Sequence, residues 1–364
     1  MIDRYPYQID ITYDQRWCKR IGKVFEVEIA PPQEAHTPDS WQLVEVNEEG
    51  EVVNEAVPFQ FDAANQFPIT SGTLSVYLAG ESIGNQRYFR LLMGGEGQSV
   101  APLVTLLSDD QPWEGQNAWV IDTVMAKYYY HPTCGGFASL IDRDGNDWIS
   151  YHPYGGSDGE YRGIPNVIFT ALGGTFHPGR DGCESKIVSQ GPLKLTIETV
   201  TEKFGFACRW EIFPEYARLT ILRNALPYWF LYEGTPGGKL ELEEDFLVLP
   251  NGEIRPVSQQ WHDYGVPWIM FGDGKTKRGL FIIRHADLPE TEDSFWPMEG
   301  NMTVWGFGRV RKSLPLGALH DFSPLQFTLG LVENADSAAA VDKVRSCQHE
   351  EVIFVSDVMK KEEN

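Results

Sequence analysis

The sequence is short of positive charge. It carries 30 Lys and Arg against 52 Asp and Glu, a formal net charge of −22 over 364 residues. Phosphate backbones are bound by Lys and Arg in excess, so nucleic acid is a poor partner. An anionic membrane surface is disfavoured for the same reason. No run reaches the roughly 18 consecutive apolar residues of a membrane span. The first residues, MIDRYPYQID, lack the basic-then-apolar order of a signal peptide. The chain therefore reads as soluble, either cytoplasmic or secreted or periplasmic after loss of a leader. Cysteine is sparse: Cys18, Cys134, Cys183, Cys208 and Cys347 are scattered, odd in number and contain no CxxC. That argues against a fully paired disulfide scaffold. Helical periodicity is scarce as well, the best candidate being Ser337–Ser346. Phosphate-binding glycine loops and a G-x-S-x-G nucleophile elbow are absent.

What is present is β-type sequence and aromatic side chains. Hydrophobic residues make up 42% of the chain, enough for a sizeable core, and aromatics 13%, with 11 Trp, 15 Tyr and 20 Phe. Strands favour aromatics, and flat rings also stack on flat ligands such as sugars. Runs of strand character recur between turn signals at Lys23–Ile29, Trp41–Val46, Thr73–Leu78, Ile187–Val188, Leu193–Val200, Phe206–Phe213, Ala217–Leu222 and Gly279–Arg284. Leu193, Leu195 and Ile197 alternate with Lys194, Thr196 and Glu198 in the two-residue period of a strand. The class is all-β, most simply sandwiches.

Composition divides the chain. Residues 1–95 read as a compact β module with a legible hairpin, WQLVEV–NEEGE–VVNEAVPFQF. Residues 96–116, with GGEGQ and DDQPWEGQ, read as a linker. Residues 117–364 read as a larger β domain.

The stretch Tyr128–Glu184 mixes His131, His152, His177, Tyr151, Tyr154, Tyr161, Arg162, Arg180 and Glu160 with glycine and proline. Such a mixture reads as a polar surface carried on loops, able to move protons and form hydrogen bonds. Packing and loop hydrogen bonding account for any one of these residues. Glu233 in WFLYEGTPGG, and Trp296 and Glu299 in FWPMEGN, add acids beside aromatic rings, where desolvation raises a carboxyl pKa. No histidine and cysteine spacing matches a zinc motif. The D-R-D-G-N-D run departs from a calcium loop and reads better as a hairpin turn. No cofactor is implied, with a structural calcium as the one alternative kept in view.

The segments ASLIDRDGNDWISYHP, PYWFLYEGTPGG and FWPMEGNMTVWGFGR together resemble the large twisted antiparallel β-sandwich (supersandwich) of galactose-mutarotase-like proteins. The resemblance spans roughly Trp119 to Val355, and the N-terminal module resembles an immunoglobulin-like accessory domain. The resemblance implies a carbohydrate ligand. It leaves several chemistries standing. One is cleavage by a polysaccharide lyase: Arg162 or Arg180 holds a uronate, and His152, His177, Tyr151 or Tyr161 transfers the proton. Another is a glycoside hydrolase with two carboxylates, drawn from Glu160, Glu211, Glu233 and Glu299. The others are a sugar epimerase or mutarotase and a non-catalytic carbohydrate-binding protein. Elimination is favoured, with His152, Tyr161, His177 and Glu233 as catalytic candidates. His131, Tyr151, Tyr154, Glu160, Arg162, Arg180, Trp296 and Glu299 are the candidates for substrate contact. Neither the sugar nor the oligomeric state is legible.

Overall fold

A computed structural model describes residues 5–16, 22–35, 37–65, 69–80, 84–152, 163–169, 174–176, 182–202, 205–225, 228–310, 319, 323–349 and 351–360. The described strands all pair antiparallel. The chain forms two compact units. The first comprises Met1–Leu103, Gly191–Lys194 and His349–Asn364, and the second Val104–Gln190 and Leu195–Gln348.

The first unit is a sandwich of a six-stranded and a three-stranded sheet. Tyr7–Asp14 alternates, so Ile9, Ile11 and Tyr13 enter the core. Tyr13 stacks on Phe25 at 5.0 Å, and Phe25 meets Phe89 at 5.6 Å, joining the two sheets. The expected hairpin closes with Gln42–Val46 paired to Val52–Asn54. The chain's last part returns to this unit: Val352–Val355 pairs with Tyr7–Asp14, with Ile11 opposite Val355. Lys194, buried, holds Glu26 at 2.7 Å and Asp62 at 3.0 Å.

The second unit has sheets of four, six and nine strands around one core. The six-stranded sheet runs Gly174–Phe176, Asn166–Phe169, Trp229–Gly234, Met302–Val310, Glu292–Met298, Trp261–Tyr264. Its inward face packs on the nine-stranded sheet through ring contacts, Phe230 on Phe327 at 4.3 Å and Tyr232 on Phe271 at 4.8 Å. The two sheets also share a fully buried ion pair. Arg284 Nη1 lies 3.0 Å from Asp293 Oδ1, and both side chains are solvent-free. The helix Ala338–Gln348 begins where Ser337 Oγ accepts the Ala340 N–H at 3.2 Å. Its face of Ala340, Val341 and Val344 is buried.

Two sequence expectations change shape. Thr105–Trp113 and Gln116–Asp122 form a hairpin through the segment read as a linker. Glu114 and Gly115 turn it with φ +46° and +80°, the left-handed pair of a two-residue turn. The outer strand is mostly exposed, so its polar residues gave no strand signal. Within Tyr128–Glu184, Ala126–His131 and Gly136–Asp142 are paired strands rather than loops, with Tyr128 opposite Leu140. Tyr128 and Tyr130 are buried core rings, as the two-residue period requires.

Candidate functional site

The strand Trp229–Gly234 reads Trp-Phe-Leu-Tyr-Glu-Gly and is buried along its whole length. Alternation splits it. Phe230 and Tyr232 join the main core, whereas Trp229 and Leu231 join a separate cluster with Met302 and Val304. Glu233 shares the face of Trp229 and Leu231 and is 1% exposed. Asn166 stands opposite Leu231 on the neighbouring strand, is wholly buried, and its Nδ2 donates to Glu233 Oε2 at 3.4 Å. The other half of its amide, Oδ1, finds no hydrogen-bond partner. Trp229 Nε1 on the same face has none either. Buried polar atoms are almost always paired, so the unmet acceptor of Asn166, beside the Glu233 carboxylate, suits a polar ligand.

The floor of this face is shaped by Gly306. A Cβ there would overlap Cζ3 and Cε3 of Trp229, so only glycine lets the indole lie flat on the strand. Beyond it, the Arg309 guanidinium lies 3.9 Å from the Trp296 ring centre and 5.3 Å from that of Trp229. Burial pulls the Arg309 pKa below its ordinary value, and the charge of Glu292 opposes this. Exposure rises across the sheet, from solvent-free Glu233 through half-buried Trp296 and Arg309 to exposed His262 and Tyr264. The face is therefore closed at the carboxylate and open at the Trp261–Tyr264 edge.

A second group forms around His131. Its ring is fully buried, and Nε2 donates to the Trp113 carbonyl at 2.9 Å, which leaves Nδ1 as the unprotonated nitrogen. Nδ1 has no partner. Burial lowers the His131 pKa from 6.5 to about 4. The ring of Tyr151, also buried, meets it edge-on at 5.7 Å. His152 is 53% exposed and its Nδ1 lies 3.8 Å from Glu114 Oε2. His131 and Tyr151 are thus brought together, with His152 next in sequence.

Glu299 sits at the exposed tip of the hairpin joining Glu292–Met298 to Met302–Val310. Its φ of +49°, followed by +74° at Gly300, is what the two central positions of that turn demand. Tyr154, Glu160, Tyr161, Arg162, His177 and Arg180 lie outside the described residues. Sequence reasoning missed Asn166, Trp229 and Arg309 as site residues. The alternation Trp229-x-Leu231-x-Glu233 was the available signal for Trp229.

Among the described residues, no group of three or more His, Cys, Asp or Glu could hold a metal ion. In the D-R-D-G-N-D turn, Asp142 Oδ1 accepts the N–H groups of Asp144 and Asn146, both at 2.9 Å. The Arg278 guanidinium lies 2.7 Å from Asp142 and 2.9 Å from Asp144. The same guanidinium also lies 2.8 Å from Glu333, so one cation of the protein's own bridges three carboxylates. No helix among the described residues is long and apolar enough to cross a membrane.

No family model matches the chain, and no curated protein matches it in sequence. Its fold is similar to that of solved structures. A protein in glycosyl hydrolase family 38 from Enterococcus faecalis matches 98% of this chain at 13% identity and a TM-score of 0.53. The match covers 48% of that protein, so the chain spans about half its length. A galactose mutarotase related enzyme from Lactobacillus acidophilus matches 60% of this chain and 98% of its own at 10% identity, with a TM-score of 0.41. At 13% identity the likeness to the glycosyl hydrolase family 38 protein is one of fold alone.

Proposed function

We propose that the protein is a carbohydrate-active enzyme that cleaves a glycosidic bond, with Glu233 as a proton-transfer group and the half-buried Trp296 as a surface for a sugar ring. The observation that carries this reading is the buried Glu233–Asn166 pair, with Asn166 Oδ1 unmet. Sugar hydroxyls both donate and accept, so one of them suits the unmet acceptor of Asn166. Indole faces suit the apolar faces of sugar rings, and a carboxylate in a dry site is the usual agent of proton transfer in glycosidic chemistry. The fold neighbour named as a glycosyl hydrolase family 38 protein agrees with this class of chemistry.

Cleavage has two forms. In elimination, Arg162 or Arg180 would neutralise a uronate while His152, His177 or Tyr161 removes the proton. In hydrolysis, a second carboxylate would work with Glu233. The test is incubation with a panel of neutral polysaccharides and polyuronates. Unsaturated products absorbing in the ultraviolet indicate elimination; new reducing ends without that absorbance indicate hydrolysis. Glu233→Gln keeps the shape and removes the titrating group, so turnover should fall by about 10²–10⁴-fold with the circular dichroism spectrum unchanged. Full turnover by this variant refutes the assignment of Glu233.

A second reading is epimerisation or mutarotation of a single sugar, favoured by the solvent-free position of Glu233 at the closed end of the face. It predicts anomeric or epimeric exchange by nuclear magnetic resonance with no change in chain length.

A further inference from the structure

Most arginines described in this acidic protein hold a carboxylate. Arg87, Arg209, Arg218, Arg255 and Arg278 each do so at 2.7–2.9 Å. Arg309 is different. Among the described residues it donates no hydrogen bond and has no carboxylate within ion-pair distance; its neighbours are the Trp296 and Trp229 rings. The Glu292 carboxylate acts on it electrostatically. That carboxylate is beyond ion-pair distance and accepts from Tyr264 OH, which donates to Oε2 at 3.3 Å, with Ser294 Oγ 3.5 Å from Oε1; its charge still competes for the guanidinium. A guanidinium stacked on indole has its face occupied and its edge, a fork of N–H donors, unused. That edge fits the two oxygens of a carboxylate or the oxygens of a sulfate. Holding such a cation half-buried with no anion paired to it among the described residues is unfavourable, which gives the position a reason to receive one.

The location says which part of a ligand is read. Trp229 and Glu233 are four residues apart along one strand, roughly 13 Å by strand rise. The group that reaches Arg309 therefore sits on a sugar beyond the one at Glu233. We propose that Arg309 is a specificity residue that receives the carboxylate or sulfate of a sugar flanking the one at Glu233. The proposal rests on the carbohydrate reading of this face and deepens it to an acidic saccharide.

The test is calorimetric titration of the full chain with three oligosaccharides of matched length: neutral, uronate-containing and sulfated. The wild type should bind one of the acidic oligomers at least about tenfold more tightly than the neutral one, and the two acidic arms identify the group. In Arg309→Gln that acidic-to-neutral ratio should collapse toward one. Arg309→Lys should fall between, since a point charge replaces the planar fork. Glu292→Gln should raise the ratio by removing a competing carboxylate, and it decides the matter if Arg309→Gln fails to fold. Equal binding of neutral and acidic oligomers, or a ratio unmoved in the Arg309 and Glu292 variants, overturns the inference and leaves the carbohydrate reading in place. Absence of binding to every saccharide overturns the carbohydrate reading, and the inference falls with it.

Discussion

Replacing His131 with glutamine should flatten the acid side of the protein's stability profile. His131 is buried, donates Nε2–H to the Trp113 carbonyl, and has no acceptor near Nδ1. Protonation would create a buried, unpartnered N–H and a buried charge together, which is why burial drops its pKa from 6.5 to about 4. In the unfolded chain the imidazole protonates near 6.5. Between those values the unfolded state takes up a proton that the folded state refuses. The contribution to stability is therefore complete above pH 6.5 and is lost as pH falls toward 4. At about 1.4 kcal/mol per pH unit, the loss between pH 7 and pH 4 comes to roughly 3 kcal/mol.

The wild-type curve alone would not isolate this effect. Burial raises the pKa of both Asp245 and Asp293 to about 6. Those groups bind a proton more readily in the folded state, so their contribution runs the other way: stability rises as pH falls through 6. The useful quantity is the difference between His131→Gln and wild type. The glutamine amide keeps a donor for Trp113 and removes the titration. Losing the edge contact with Tyr151 costs stability equally at each pH and shifts the whole curve. Urea unfolding followed by tryptophan fluorescence at pH 7, 5.5 and 4 should therefore give a gap that narrows by roughly 3 kcal/mol in the variant's favour on acidification. Parallel curves would show that His131 takes up its proton in the fold as readily as in the unfolded chain, which refutes the burial argument.

Three other perturbations have definite outcomes. Asp293→Asn leaves Arg284 charged and unpaired in the interior, while Asp293 loses the charge that also accepts the Val266 and Gly308 N–H groups at 2.8 and 2.7 Å. Unfolding free energy should fall by about 3–5 kcal/mol, and a loss below about 1 kcal/mol in urea titration would mean the pair is not buried as described. Gly306→Ala should drive the Trp229 indole off its strand, costing about 1–3 kcal/mol and altering near-ultraviolet circular dichroism. The spectral change should vanish when Trp229→Phe is already present. Asp142→Ala removes the acceptor of the buried Trp148 indole at 3.0 Å and of two turn N–H groups. Thermal unfolding should register a loss of about 3 kcal/mol, and an unchanged midpoint would dismiss the turn's role.

What the sequence disclosed follows from the range of the interaction involved. Strand alternation is local, and Lys23–Ile29 and Gly279–Arg284 appear in the structure with the bounds read from sequence. The D-R-D-G-N-D turn was legible because Asp142 bonds N–H groups two and four residues on. The Thr105–Trp113 strand was not, since an exposed strand needs no apolar alternation, and its Glu-Gly turn looks like loop punctuation. The site divides the same way. Glu233 stood out as an acid among aromatics within one strand. Asn166 could not, because its partner is 67 residues away and the strand that carries it gives no sign of which strand it will join. Arg309 met Trp296 only after a hairpin folded back with a register shift between Glu292 and Ser294. In the sequence it is one of many charges; in the fold it is a guanidinium held between two indoles beside a strand that ends in a buried carboxylate. A site made by strand order is legible only once that order is known. That is why the first residues to substitute are Glu233, Asn166 and Arg309, two of which composition alone would have passed over.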